Sequence, residues 1–125
     1  MEKGDLTSDQ RETIRRLNSA LRPVRDQLNL AHLASLLTIA AEPGLSVNDL
    51  AERVAVPQPS ASRFVSVLIG RYQSSDGVPP IPLIAQEVST DDPRRRALFL
   101  NAHGHEVVQA ILRAFEQPDK LGEAK

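Results

Sequence analysis

The chain of 125 residues has no cysteine and no tryptophan, and only 3% of it is aromatic. Without cysteine there is neither a disulfide framework nor a thiolate zinc site. That is compatible with a reducing cytoplasm, the compartment expected here. No apolar run approaches the roughly 18 residues of a membrane span and no signal peptide is visible, so no membrane partner is expected. With so few rings, the 41% hydrophobic fraction must build its core from Leu, Val, Ile and Ala, which suits helices, and the length fits one domain. Enzyme signatures are missing too. No nucleophile lies at useful spacing from a base, no glycine-rich loop could cradle a phosphate, and no carboxylates are paired in a recognisable setting. Neither enzymatic activity nor a cofactor is expected.

Another absence is local. From Arg53 to Ser75 there are three arginines and no Asp or Glu. This run lies largely within SVNDLAERVAVPQPSASRFVSVLIGRY, Ser46 to Tyr72, which reads as two helices around a tight corner. Ser46 and Asp49 form an S-x-x-D capping box, and Leu50, Ala51 and Val54 supply an apolar stripe. Val56-Pro57 ends the first helix, since the residue before proline is pushed out of the α region. The second helix starts near Pro57 to Ser60 and turns Ala61, Phe64, Val65 and Leu68 inward, at i, i+3, i+4, i+7. Its other face is Gln58, Ser60, Ser62, Arg63 and Ser66. A helix that enters a DNA major groove needs such a surface: slim, rich in donors and free of repelling carboxylates. An ordinary exposed helix usually mixes Glu with Lys, so the lack of acids leans toward a helix-turn-helix. The net charge of −1 leans mildly the other way, because phosphate contacts need local positive charge.

The flanking segments supply the remaining parts. Thr7 or Ser8 can cap a first helix, in which Ile14, Leu17, Leu21, Val24 and Leu28 recur at alternating spacings of three and four, an a/d seam. Pro23 should break it around Leu21-Arg22. The seam serves either the domain's own core or a second subunit. Asn29 can cap a buried helix over residues 30 to 41, with Leu33, Leu36, Leu37 and Ala40 inward and His32 partly exposed or hydrogen-bonded. Gln73 to Pro82 is turn chemistry throughout. Leu83 to Val88 and Ala97 to Leu100 read as strands around STDDPRRR, a hairpin with a basic tip that could place an arginine in a narrow minor groove. Asn101 can cap a last helix over residues 102 to 115, with Val107, Val108, Ile111, Leu112 and Phe115 apolar. His103, His105 and Glu106 do not share a helix face, so no metal site is expected.

This order of parts resembles the multiple-antibiotic-resistance regulator (MarR) family of bacterial winged-helix repressors. The resemblance covers about residues 29 to 112. It rests on LSVNDLAERVAVPQPSASRFVSVL and on DDPRRR between two strands, followed by LNAHG. It implies a mainly α fold with a small β-hairpin wing, a winged helix-turn-helix, in a single domain: an N-terminal arm (1–28), a DNA-binding core with wing (29–101), and a C-terminal helix and tail (102–125). It also implies a dimeric repressor on a pseudo-palindromic operator in double-stranded DNA. Gln58, Pro59, Ser60, Ser62, Arg63 and Ser66 fall on the recognition surface. Asp92, Arg94, Arg95 and Arg96 fall on the wing, with Asp92 and Arg94 as the pair that would hold its tip. Three features depart from the family: the long link Gln73 to Pro82, Pro59 in the first turn of the recognition helix, and a shorter C-terminal region. The dimer face would then rest on Ile14, Leu17, Leu21, Val24, Val108, Ile111 and Phe115. No residue pattern indicates a small-molecule effector. The competing reading is a winged-helix protein–protein interaction module without specific DNA binding.

Overall fold

Most helices of this chain begin where a side chain satisfies the first free N–H groups. The computed structural model describes residues 4–71, 80–88, 91–92 and 94–116. Among these, the order is α1 (Ser8–Leu21), α2 (Leu30–Ala41), α3 (Val47–Val54), α4 (Gln58–Ile69), β1 (Ile84–Val88), β2 (Arg96–Leu100) and α5 (Ala102–Arg113). Three starts are reciprocal capping boxes. The Thr7 hydroxyl accepts the Gln10 N–H at 3.0 Å and the Gln10 side chain accepts the Thr7 N–H at 2.8 Å. Asn29 and His32 do the same for α2, at 2.8 and 3.1 Å, and Ser46 and Asp49 for α3, both at 3.1 Å. At α5 the Asn101 side chain accepts the Gly104 N–H at 2.8 Å. α1 stops at Leu21, before Pro23, as the fixed proline φ requires.

The core is aliphatic. Leu36, Ile39, Leu50, Leu68, Leu83 and Leu98 are fully buried, and Ser35 is the buried polar residue among those described. Its hydroxyl is spent on the Ala31 carbonyl at 2.9 Å. The phase of α2 differs from the expectation. Leu37 is turned outward at 38% exposure, whereas Ile39 and Ser35 are buried. The reason lies in the helix itself: LAHLASLLTIAA carries no charged residue, so no polar face fixes its rotation in the sequence, and its neighbours α3, α4 and α5 decide. α5 also closes at Arg113, two residues short of the expected end.

The hairpin pairs antiparallel, Ile84 opposite Leu100 and Val88 opposite Arg96. On its other side β2 meets the loop before α3: Gly44 N–H donates to the Leu98 carbonyl at 2.8 Å, and Leu98 N–H to the Leu45 carbonyl at 2.9 Å. This short third rung joins wing to helical body. Strand β1 starts one residue later than expected because Leu83 is used differently. Its N–H donates to Leu68 at the end of α4 at 2.8 Å, and its carbonyl accepts from Asn101 at 3.0 Å. Asn101 Nδ2 also donates to the Pro82 carbonyl at 2.8 Å, and Gln27 brackets the backbone of Ile81 with both ends of its amide. The turn chemistry expected for Gln73 to Pro82 falls mostly outside the described residues, as do parts of the wing tip and the final tail.

Two predictions follow from these joints. α5 crosses so close to Leu83 that a Cβ on Gly104 would stand 2.1 Å from the Leu83 carbonyl oxygen. Gly104→Ala should therefore lower stability by about 1–3 kcal/mol, the usual range for overpacking, as read by denaturant unfolding. His32 lies edge-on to Phe64, ring centroids 5.5 Å apart, and burial lowers its pKa below the ordinary 6.5. Its Nδ1 can accept the Asn29 N–H only when neutral. The unfolded chain binds this proton more readily, so the stabilisation is complete above the unfolded pKa and is lost as pH falls through the folded one. The melting temperature should drop from about pH 7 to about pH 5.5, and His32→Gln, which keeps a capping-box acceptor, should remove part of that drop.

Candidate nucleic-acid interface

The corner between α3 and α4 sets the site. Ala55 closes α3 in the left-handed region, at φ 61°, where alanine sits less comfortably than glycine. Its conformation turns the chain so that Val56 and Pro57 lead directly into α4. α4 has no side-chain cap, and Pro59 occupies its first turn. Ala61, Val65 and Leu68 are buried, and Phe64 is half-buried. This leaves Gln58, Pro59, Ser62 and Arg63 exposed on the outer face, with Ser60 and Ser66 half-buried at its edges. Gly70, at φ 91°, ends the helix.

The three arginines of the acid-free run have different fates. Arg53 Nε donates to both Glu42 carboxylate oxygens, at 2.9 and 3.2 Å, which ties α3 to the end of α2. Arg63 and Arg71 are exposed. Arg63 carries its charge outward on α4, without an ion pair among the described residues.

A cleft of 470 Å³ lies between the wing and the helix-turn-helix, lined by Ser46, Val47, Asn48, Asp49, Gln58, Asp92, Arg94, Arg95 and Arg96. It brings together Gln58 and the four wing residues expected at a DNA surface. Pro59, Ser60, Ser62, Arg63 and Ser66 lie along α4, outside its lining. Within the wing, Arg94 N–H donates to Asp92 Oδ1 at 3.1 Å and Arg95 N–H to the Asp92 carbonyl at 2.9 Å. The link between Asp92 and Arg94 is thus a backbone turn bond. The Arg95 side chain crosses the cleft, where its Nη2 pairs with Asp49 Oδ2 at the start of α3. Asp49 is held below its ordinary carboxylate pKa, first by the Ser46 N–H it accepts. Arg95 and Arg53 lower it further, against partial desolvation. Ser46, Val47, Asn48 and Asp49 were not expected at this surface. The capping box was legible, but no local signal shows that an arginine 46 positions later would share its carboxylate.

The residues expected at a dimer face are divided. Val24, Val108 and Ile111 are buried within the protomer, Leu17 and Leu21 are half-buried, and Ile14 and Phe115 stand at 44% and 58% exposure. Leu112, on the same helix as Val108 and Ile111, is 53% exposed. His103 pairs with Glu106 at 3.5 Å, and among the described residues no three metal-binding side chains come together.

Comparison with known proteins agrees on architecture. No family model matches the sequence, and no curated protein matches it. Among solved structures, the S. aureus MepR–DNA complex aligns over 92% of this chain and 87% of that chain, with a TM-score of 0.65 and 21% identity. The fold is that of the MarR-type winged-helix regulators. Wild-type MarR from E. coli in its apo form aligns over 85% of this chain and 69% of that one, with a TM-score of 0.59 and 15% identity. RV1404 from Mycobacterium tuberculosis aligns over 84% and 65%, with a TM-score of 0.63 and 16% identity. In the MarR-type fold α4 takes the place of the second helix of the helix-turn-helix, and the β1–β2 hairpin takes the place of the wing.

Proposed function

We propose that this protein is a sequence-specific DNA-binding transcription regulator, a repressor that acts as a homodimer on a pseudo-palindromic operator. The observation that carries this reading is the surface formed by α4 and the wing. α4 presents Gln58, Ser62 and Arg63 on a slim outer face without a carboxylate, and Arg94, Arg95 and Arg96 of the hairpin stand across the cleft from its first turn. α4 would lie in the major groove, where Arg63 can bond a guanine edge and Gln58 an adenine edge. Ser60 and Ser62 can donate to phosphates, and the wing would lie along the neighbouring minor groove, where negative potential is strongest. The MepR structure in complex with DNA supports the same assignment for this fold. Exposed Ile14, Leu112 and Phe115 favour pairing through α1 and α5, which would set two half-sites about one helical turn apart.

The second reading, a winged-helix module that binds protein, is favoured by the net charge of −1 and by the carboxylates of Asp49 and Asp92 in the cleft. Retention on heparin and its response to salt separates the two. No effector is proposed. The apolar hollow between Pro23, Leu83 and Val107 measures 150 Å³, well below the roughly 300–1,000 Å³ of ordinary ligand sites.

The deciding experiment is selection from a random duplex pool at moderate salt, with oligomeric state measured on the same sample. An enriched inverted repeat bound by a dimer is expected. No enrichment from a folded sample would pass the case to the protein-binding reading. On the selected operator, Arg63→Ala should lose about 1–3 kcal/mol of binding and relax the preference at one base pair per half-site. A uniform loss over all sequences would reduce Arg63 to a phosphate contact.

A further inference from the structure

The cleft contains an anomaly. A surface meant for phosphates should carry no acids, yet Asp49 and Asp92 both line it; Asp92 accepts the Arg94 N–H within its own turn, whereas Asp49 is the partner of Arg95 from another segment. The capping box alone does not require a charge at this position. In α1 the corresponding place is held by neutral Gln10, and in α2 by His32. Both box bonds of α3 would survive with an uncharged acceptor. The carboxylate therefore has a second consequence, which is that it occupies the guanidinium of the wing. Arg95 is half-exposed and Asp49 about a third exposed, so the pair stands in water's reach and is of the weak, exchangeable kind.

We propose that Asp49 is a specificity-determining residue: its carboxylate stands in for a DNA phosphate on Arg95 and withholds that arginine from DNA that the recognition helix does not fit. The inference rests on the DNA-binding reading above. Binding to arbitrary sequence is driven by phosphate contacts, each releasing counterions and adding about 0.9 to the salt slope on duplex DNA. An arginine that already has a carboxylate gains little by exchanging it for a phosphate, and the abandoned Asp49 would face the DNA's negative charge. On arbitrary DNA the exchange is near neutral, so Arg95 stays on Asp49 and contributes little. On a fitting site, contacts made by Gln58 and Arg63 press the wing against the backbone, and the exchange is driven by base recognition. Gln58 lines the same cleft, so the residue that opens α4 shares it with the pair it would release. Asp49 thus lowers non-specific affinity more than specific affinity, which is how a ratio is raised.

The test uses the full chain and a random-sequence duplex, with affinity measured over a series of salt concentrations. Asp49→Gln keeps a capping-box side chain of the kind α1 uses. It should bind the random duplex about two- to fivefold more tightly at low salt, the factor expected from freeing an exposed ion pair, with a salt slope steeper by about 0.9. The gain should vanish in an Arg95→Ala background. If melting shows that the Gln variant is not folded, Asp49→Asn, with its shorter amide, takes its place. Unchanged or weaker binding by the variant, with the wild type binding normally, would overturn the inference and make Asp49 a plain brace for the wing. A gain that persists without Arg95 would also overturn it, as a general charge effect. If neither wild type nor variant binds DNA in a salt-dependent way, the DNA-binding reading falls and this inference with it.

Discussion

The peptide group of Leu83 is the joint on which the arrangement depends. Its N–H is held by the last turn of α4, its carbonyl by the residue that caps α5, and its side chain is fully buried in the core. A glycine at position 104 is what lets α5 come close enough for this. Because the strand that follows starts one residue later, the hairpin is aimed from a point fixed to α4. The wing and α4 are therefore set relative to each other by backbone hydrogen bonds, which tolerate surface substitution better than a side-chain interface would. The rung between β2 and Gly44–Leu45 adds a second anchor on the α3 side.

Much of this was legible because the chain punctuates itself. Asn29, Ser46 and Asn101 each open a helix at the expected residue, and the proline at 23 and the Val56-Pro57 step mark ends that steric exclusion makes nearly obligatory. The inward stripe of α4 was readable as well, since its two faces differ sharply in polarity. α2 is the opposite case: with no charge in it, helical periodicity gives its existence but not its rotation, and Leu37, which the apolar pattern turns inward, lies outside. The burial of Val24, Val108 and Ile111 within the protomer could not be told from exposure on a partner face, because an apolar seam looks the same whichever surface covers it.

The candidate site divides along the same line. Residues contributed by one contiguous helix or loop, such as Gln58 to Ser66 or Arg94 to Arg96, announce themselves by composition. The pairing of Arg95 with Asp49 joins two segments that only the folded chain brings together, and the turn bonding within the wing assigns the backbone of Arg94, not its guanidinium, to Asp92. Long-range pairing of this sort depends on how the hairpin is tilted, and the tilt is fixed by Leu83 and Leu98 rather than by any local pattern.

The tight corner at Ala55 has a mechanical meaning. A non-glycine residue held in the left-handed region has few neighbouring conformations to visit, and the proline two positions on removes more. α3 and α4 are consequently joined by a corner with few alternative conformations, and the wing is tied to them by the backbone of Leu98 and, nearer its tip, by Arg95. Among the described residues the root of the hairpin is fixed by backbone hydrogen bonds, whereas the tip is held by an ion pair that can exchange. Under the proposed function, a duplex that meets both elements at once would supply part of the compliance through its own bending and groove width. On that proposal, sequences would be ranked by how easily they deform as well as by the base edges they present.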